Sequence, residues 1–520
     1  MASTTYRPPG TLDLANALLP YRGPWDVQKA AHLLRRAGFG GSPADIARVA
    51  AMPMNVAVDR LIEFPPTPNL PDAPELVEDR PNPAVRRLFA QNAASALTML
   101  PAGNAAERAL QMLGAAAAAA PPRPAQPPPP PSTAVQQQLA KAHQQNTLAL
   151  QQWWLQRMIA SPAPLQEKMT LFWHGHFTSA YQAKGITAQD ILQQNQLYRR
   201  FALGNVHELT REVSKDPAML KYLDNRTSRK EHANENYARE LMELFTLGIG
   251  NYTETDVRES ARAFTGYTLD RDDRFVFNRA IHDDGVKTFL GRTGNFTGDD
   301  IVDIIFAQPA APRFFASELL GYFLYSDPEP ALIDALAALI RKNNFELRPV
   351  LSALLRSNVF YSERAYRALV KSPTEFVVGA HQLYGLSDVD PAVLGAMRRM
   401  GQVLFYPPNV KGWDGGDSWL NSGTVLTREN FASALCRSPQ MMQEATWLTA
   451  DASMEPKAVA ARIVQWVLVG DASPSARARL EQYLSGAGTA ALGMLSGENF
   501  DERVRGAAYL AMAMPAYQLA

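Results

Sequence analysis

The chain of 520 residues contains a single cysteine, Cys436. One thiol cannot form an intramolecular disulfide, so the sequence neither requires nor excludes an oxidising compartment. Zinc sites built on Cys-x-x-Cys pairs and iron–sulfur clusters need several thiolates, and both are therefore excluded.

Net charge and long apolar runs are also missing. Lys plus Arg equals Asp plus Glu, at 51 each, which gives no global attraction to nucleic acid, and we expect no nucleic-acid partner. No stretch reaches the roughly 20 apolar residues of a membrane helix, so we expect no membrane insertion. The first residues lack a basic start followed by an apolar run. These absences predict a soluble cytoplasmic protein.

Proline is abundant in one place, the segment GAAAAAAPPRPAQPPPPPS at residues 114–132. Consecutive prolines cannot donate backbone hydrogen bonds and favour extended geometry, so this segment predicts an excursion from the core. The sequence predicts four regions in all, of which the second is a partly disordered insertion rich in Pro and Ala: 1–64, 65–133, 134–390 and 391–520.

Helical patterns dominate the remaining sequence. Hydrophobic residues make up 46% and charged residues 20%, which suits a soluble core of ordinary size. Residues 134–160 are rich in helix formers, whereas alternating strand patterns are few, and RFVFNRAIH near residue 274 is the best candidate for a hairpin. The predicted fold is mainly α, a large helical domain with the proline-rich insertion and few or no short strands.

The stretch FWHGHF carries two of the eight histidines, His174 and His176. On a helix, His176 continues an apolar stripe and should point inward, while His174 lies about 160° away and should be at the surface or behind a site. If Gly175 breaks the helix instead, an extended His-x-His would place both rings on one side. Spacing alone favours a packing role for His176.

A second polar stripe lies on the helix predicted from Asn234 to Gly248. Asn236, Glu240 and Glu243 follow one another at helical spacing beside an apolar face. Two carboxylates and an amide could hold a hard cation or perform acid–base chemistry. A solvated acidic flank is the alternative.

The turn IHDDGVKTFLG collects His282, Asp283, Asp284 and Lys287 around Gly285. Such a cluster after a possible strand is typical of a functional site. It is equally typical of a polar turn in which the Asp side chains bind their own backbone.

These segments resemble the domain-of-unknown-function 1800 (DUF1800) family of bacteria. The motifs that carry the resemblance, in chain order, are HLLRRAGFG, FWHGHF, NENYARELMELFTLG, YTETDVRESARAFTGY, HDDGVKTFLG and LFYPPNVKGWDGG. Members are often encoded beside proteins of the domain-of-unknown-function 1501 (DUF1501) family, which implies a possible partner and, for some relatives, a destination outside the cytoplasm. A signature with two His, two Glu and a His-Asp turn is unusual for packing alone.

The first functional hypothesis is a hydrolase-like or oxidative enzyme, with a divalent metal such as zinc, manganese or iron(II), or with acid–base groups alone. We expect its groups to line one cavity. The predicted catalytic residues are His174, His176, Glu240, His282, Asp283 and Lys287. The predicted metal ligands are His174, His176, Glu240, Glu243 and His282.

The second hypothesis is a non-catalytic helical scaffold that acts with a DUF1501 protein. The irregular loop LFYPPNVKGWDGGDSW would then offer Trp413 and Trp419 as an aromatic contact surface.

Deletion of residues 114–132, with a short flexible linker in their place, should leave the melting temperature within a few degrees of the parent. Each doubling of loop length changes the closure entropy by only about 0.6 kcal/mol. Thermal melts test this, and a collapse of soluble yield or melting temperature would mean that the segment packs against the core.

Overall fold

A computed structural model describes residues 13–64, 70–80, 133–448, 455–486 and 500–520. Helix accounts for 62% of the structure, which confirms the mainly α fold. In the described residues the strands form two antiparallel pairs, as the prediction of few short strands requires. None of the described helices is long and apolar enough to cross a membrane.

Contacts divide the chain into two compact units, one made of Met1–Pro74 with Leu150–Ala520 and one of Glu75–Ala149. In the smaller unit the Asn146 side chain binds both backbone groups of Val77, at 2.9 and 2.8 Å. The proline-rich segment 114–132 lies outside the described residues, and the predicted four-region division stays a prediction.

The N-terminal helices begin at local capping signals. Asp26 caps the first, and Ser42 forms a capping box with Asp45 at the start of the second, where Pro43 pre-sets the backbone. These helices are α1 (Val27–Ala37), α2 (Pro43–Ala50) and α3 (Met54–Ile62).

The central helices carry most of the sequence motifs. They are α4 (Thr133–Ala160), α5 (Pro164–His176), α6 (Ala188–Arg200), α7 (Val206–Lys215), α8 (Pro217–Tyr222), α9 (Glu235–Glu240) and α10 (Glu254–Ala263). Helix α9 continues without a break as a π-helix over Leu241–Thr246.

Two small hairpins follow α10. Strands β1 (Tyr267–Leu269) and β2 (Phe275–Phe277) pair antiparallel, with Thr268 opposite Val276, which confirms the predicted hairpin. Strands β3 (Lys287–Phe289) and β4 (Arg292–Gly294) form the second, which the sequence analysis did not identify.

The remaining helices complete the larger unit. They are α11 (Gly298–Ala307), α12 (Ala310–Phe323), α13 (Pro330–Lys342), α14 (Leu347–Leu355), α15 (Pro373–Tyr384), α16 (Pro391–Arg399), α17 (Ser422–Arg437), α18 (Pro439–Glu444), α19 (Pro456–Trp466), α20 (Pro474–Leu484), α21 (Phe500–Ala513) and α22 (Pro515–Gln518). Short 3₁₀ turns lie at Leu14–Asn16, Ala183–Gly185, Asn225–Thr227, Arg279–Ile281, Gly416–Trp419 and Thr446–Leu448.

Helix α5 is enclosed by its neighbours along its length, with ten of its 13 residues buried. Its buried carboxylate, Glu167, accepts hydrogen bonds from Trp154 and Arg157 of α4 and from Arg199 of α6. The next residue, Lys168, is paired with Glu375 of α15. Buried charges are tolerated when such partners satisfy them, so these contacts fix the position of α5.

Replacement of Glu167 by Gln should lower the free energy of unfolding by about 3–5 kcal/mol, because two guanidinium groups would lose a buried partner. The half-exposed Glu235, 3.4 Å from Arg239, is the matched control, and Glu235→Gln should cost at most about 1 kcal/mol. Urea unfolding of both variants measures the difference. Similar small losses in the two would show that the Glu167 cluster does not hold α5.

Candidate functional site

His176 ends helix α5 and is 8% exposed. Its Nε2 lies 3.0 Å from the carbonyl oxygen of Phe245, which can only accept, so Nε2 carries the proton and Nδ1 does not. Burial lowers the pKa of His176 to about 4, against the opposing effect of that carbonyl. The ring is therefore neutral near pH 7, with Nδ1 as a hydrogen-bond acceptor.

His174 points to a different part of the molecule. Its Nε2 accepts a hydrogen bond from the backbone N–H of Phe405 at 3.1 Å, and its ring lies 5.6 Å from that of Trp413. Burial lowers its pKa to about 3. Of the two positions predicted for His174, at the surface or behind a site, the surface position is wrong, because His174 is only 2% exposed. The helix persists to His176, so Gly175 does not bring the two rings together.

The loop after α16 is held against α5 by three further contacts. The Thr178 hydroxyl donates to the carbonyl of Val410, and the N–H of Tyr181 donates to the carbonyl of Phe405 at 2.9 Å. A Cβ on Gly412, whose φ is +87°, would clash with the carbonyl oxygen of Gly175, so glycine allows this close approach. These contacts place Trp413 beside α5.

The π-helix that follows α9 brings Glu243 and Leu244 to the same region. The sequence predicts one helix from Asn234 to Gly248, and the Asn234 side chain caps its N-terminus. The wider i→i+5 turn shifts later side chains around the axis, so the predicted stripe from Glu240 to Glu243 is divided. Glu243 lines a cleft and Glu240 does not.

The cleft has a volume of about 790 Å³ and lies between α5, the π-helix, α12 and the loop after α16. Aromatic side chains form much of its wall: Phe172, Phe314, Tyr322, Trp413 and Trp419. Its charged lining residues are Glu243, Glu318, Asp327, Glu375, Lys411 and Asp414. Convergent polar groups on an apolar wall are typical of ligand sites.

Glu318 of α12 faces His176 across the cleft. Its Oε2 lies 4.0 Å from Nδ1 of His176, and 46% of its side-chain surface remains exposed. Enclosure by the cleft walls raises the pKa of Glu318, while Lys411 opposes the rise. His176 Nδ1 and the Glu318 carboxylate are both hydrogen-bond acceptors. The space between them can therefore hold one hydrogen-bond donor.

The second carboxylate, Glu243, accepts a hydrogen bond from the Tyr252 hydroxyl at 2.9 Å. Burial, together with Glu243, raises the pKa of Tyr252 to about 12, so this phenol stays protonated. Glu240 lies outside the cleft lining, and burial followed by repulsion from Glu243 raises its pKa.

The turn from His282 to Lys287 forms a separate cluster. Asp283 pairs with Arg262 of α10 and also accepts the N–H of Gly285, while Lys287 Nζ donates to the carbonyls of Asp283 and Gly285. His282 Nδ1 lies 2.8 Å from the carbonyl of Thr265. These contacts match the polar-turn alternative, and none of the three predicted site residues here lines the cleft.

Of the predicted site residues, the structure brings His176 and Glu243 to the cleft. His174 stands behind it, and Glu240, His282, Asp283 and Lys287 do not line it. Across the described part of the chain, no three His, Cys, Asp or Glu side chains are grouped as a metal ion would require. The metal ligands and catalytic roles inferred from sequence stay predictions.

Sequence reasoning missed Glu318 and the loop residues Lys411 and Asp414. Helix α12 did contain a signal: Phe314, Glu318 and Tyr322 follow at i, i+4 and i+8 on a stripe beside its buried residues. A solvent face normally carries several charges rather than two aromatic rings and one carboxylate. That stripe indicates a cleft wall.

A second cleft, of about 940 Å³, lies beside α2, α3 and α15. Its polar groups have structural partners: Asp45 belongs to the α2 capping box and pairs with Arg48, and His381 Nδ1 donates to the carbonyl of Val377. It also borders Phe64, after which residues 65–69 are outside the described part. The first cleft is therefore the candidate functional site.

The fold and the site define a mainly helical protein with an acidic, aromatic cleft. Residues 32–519 match the model of a family described as "Protein of unknown function (DUF1800)". The match covers nearly the whole chain, so the chain belongs to that family. No curated protein and no solved structure matches the sequence.

The two neutral histidines predict a defined pH dependence of stability. Their pKa values are lowered in the fold, whereas an unfolded histidine takes up a proton below about pH 6.5. Between about pH 6.5 and 4 the unfolded state then binds more protons, and stability falls as the pH falls. His174→Gln or His176→Gln should reduce this slope between about pH 6 and 5 by up to about 1.4 kcal/mol per pH unit.

Urea unfolding at several pH values provides the measurement, with the exposed His232→Gln as the control. Burial raises the pKa of Asp216 to about 7, which contributes a slope of the opposite sign, so each variant is compared with the wild type. An unchanged slope in both variants would show that the histidines titrate normally in the fold.

Proposed function

We propose that this protein is a hydrolase that performs general acid–base chemistry in the cleft between α5, α12 and the π-helix. The observation that carries the proposal is the pair formed by His176 Nδ1 and Glu318 Oε2, 4.0 Å apart. The bond from His176 Nε2 to Phe245 fixes the tautomer that leaves Nδ1 unprotonated. Two acceptors at this separation suit one water molecule that donates a proton to each.

In the proposed reaction this water attacks an electrophilic carbon of the substrate. Glu318 takes the proton of the water as the new carbon–oxygen bond forms, and then gives it to the leaving group as the old bond breaks. Enclosure raises the pKa of Glu318, which brings it closer to the operating pH, where a carboxyl group exchanges protons most effectively. His176 remains neutral and positions the water.

The remaining residues have positioning roles. Tyr252 orients the Glu243 carboxylate through a hydrogen bond of 2.9 Å, and Glu243 is placed to bind the substrate. His174 holds the backbone at Phe405 and packs against the Trp413 ring, so it supports the wall of the cleft. A buried neutral histidine is suited to this task because it needs no counter-ion.

In the scaffold hypothesis, Trp413 and Trp419 would offer an aromatic contact surface to a DUF1501 protein. Both rings line the cleft instead, and Trp419 is only 7% exposed. An enclosed aromatic wall fits a small-molecule or chain-like ligand better than a flat protein surface. For this reason we favour the enzyme.

Glu318→Gln should lower kcat by about 10²-fold or more, because the variant keeps the shape of the site but loses the proton carrier. The measurement is hydrolysis of a panel of chromogenic esters, anilides and glycosides, including members with an ammonium group. The exposed Glu208→Gln is the matched control and should retain parental kcat. Hydrolysis that persists at the parental rate in Glu318→Gln would contradict the proposal.

A further inference from the structure

Cations balance only some of the carboxylates of the cleft. Glu375 is paired with Lys168, and Asp414 lies 3.5 Å from Lys411, the one cation among the described lining residues. Three lining carboxylates remain, those of Glu243, Glu318 and Asp327. Within the described residues, none of these three lies within ion-pair distance of a Lys or Arg side chain. The neutral His176 adds no positive charge.

An unused acceptor at the wall of the cleft provides a separate indication of a ligand. His176 is more than nine-tenths buried, and its Nδ1 points into the cleft with no hydrogen-bond donor among the described residues. This nitrogen is therefore available to accept a hydrogen bond from the contents of the cleft. Water or an N–H group of a ligand can supply it.

The wall of the cleft beside Glu318 is aromatic. Phe314 and Tyr322 stand one turn on either side of Glu318 on the same face of α12, and Trp413 lies on the loop opposite. Aromatic faces attract organic cations, and the attraction grows when water is partly excluded. The same faces also bury the apolar body of such a ligand.

We infer that the cleft binds an organic ammonium compound, with the charge near Asp327 and the carboxylates of Glu243 and Glu318, and the apolar body against the aromatic wall. This inference rests on the proposed hydrolase and names its substrate class, an ester, amide or glycoside that carries an amino group. Anionic substrates are disfavoured, because the three carboxylates repel them.

A matched set of small probes tests the charge preference without any turnover: hexane-1,6-diammonium, hexane-1,6-diol and adipate. Isothermal titration calorimetry on the full chain should give at least about tenfold tighter binding for the diammonium than for the diol. Adipate should bind more weakly than the diol. The advantage of the diammonium should shrink at an ionic strength of about 1 M, where the Debye length is about 3 Å.

Two variants locate the charge. Asp327→Asn should weaken the diammonium by up to about fivefold and leave the diol unchanged. Asp327 has a φ of +53°, which asparagine also adopts, so this variant should fold. The exposed Asp272→Asn, outside the cleft, is the control and should bind the diammonium like the parent.

Equal affinity for the diammonium and the diol, or tighter binding of adipate, would overturn the inference. An equal loss of affinity in Asp272→Asn and Asp327→Asn would also overturn it, since the attraction would then come from the surface as a whole. The proposed hydrolase is tested by a different experiment, and a parental kcat in Glu318→Gln would contradict it. The two ideas can therefore fail independently.

Discussion

The enclosure of helix α5 is the constraint on which the rest of the structure depends. A helix buried along its length cannot leave its charged and imidazole side chains to water, so these need partners on neighbouring elements. Glu167 finds three donors on α4 and α6, and Lys168 finds Glu375 on α15. His174 and His176 find backbone groups at Phe405 and Phe245. The sequence of α5 thereby fixes the positions of the elements around it.

This constraint also shapes the cleft. Because Nε2 of His176 donates its proton to a carbonyl of the π-helix, Nδ1 remains an acceptor that faces Glu318. Because His174 accepts a hydrogen bond from the loop after α16, the ring of Trp413 in that loop stays beside α5. The two histidines therefore lie on opposite sides of one helix. His176 lines the cleft, and His174 lies behind it. A pairing at one metal ion would need a break at Gly175, where the helix continues.

Features set by neighbours in sequence were predictable, and features set by distant contacts were not. The helix start at Asn234 and the β1–β2 hairpin depend on residues a few positions apart, and each was predicted. The burial of His174 depends on Phe405, 231 residues away, and helical spacing could not reveal it. The π-helix has no pattern of its own, so the separation of Glu240 from Glu243 was unexpected. Glu318 was missed because a single carboxylate on a helix is ordinary until its aromatic neighbours are considered.

The protonation state of His176 tests the central claim most directly. Long-range ¹H–¹⁵N correlation spectra of protein labelled with ¹⁵N-histidine distinguish the two neutral tautomers and the imidazolium, and eight histidines make assignment by substitution practical. The account predicts a neutral ring with the proton on Nε2 from about pH 5 to 8, and an Nδ1 resonance that shifts in Glu318→Gln. A ring protonated on Nδ1, or an imidazolium at neutral pH, would contradict it.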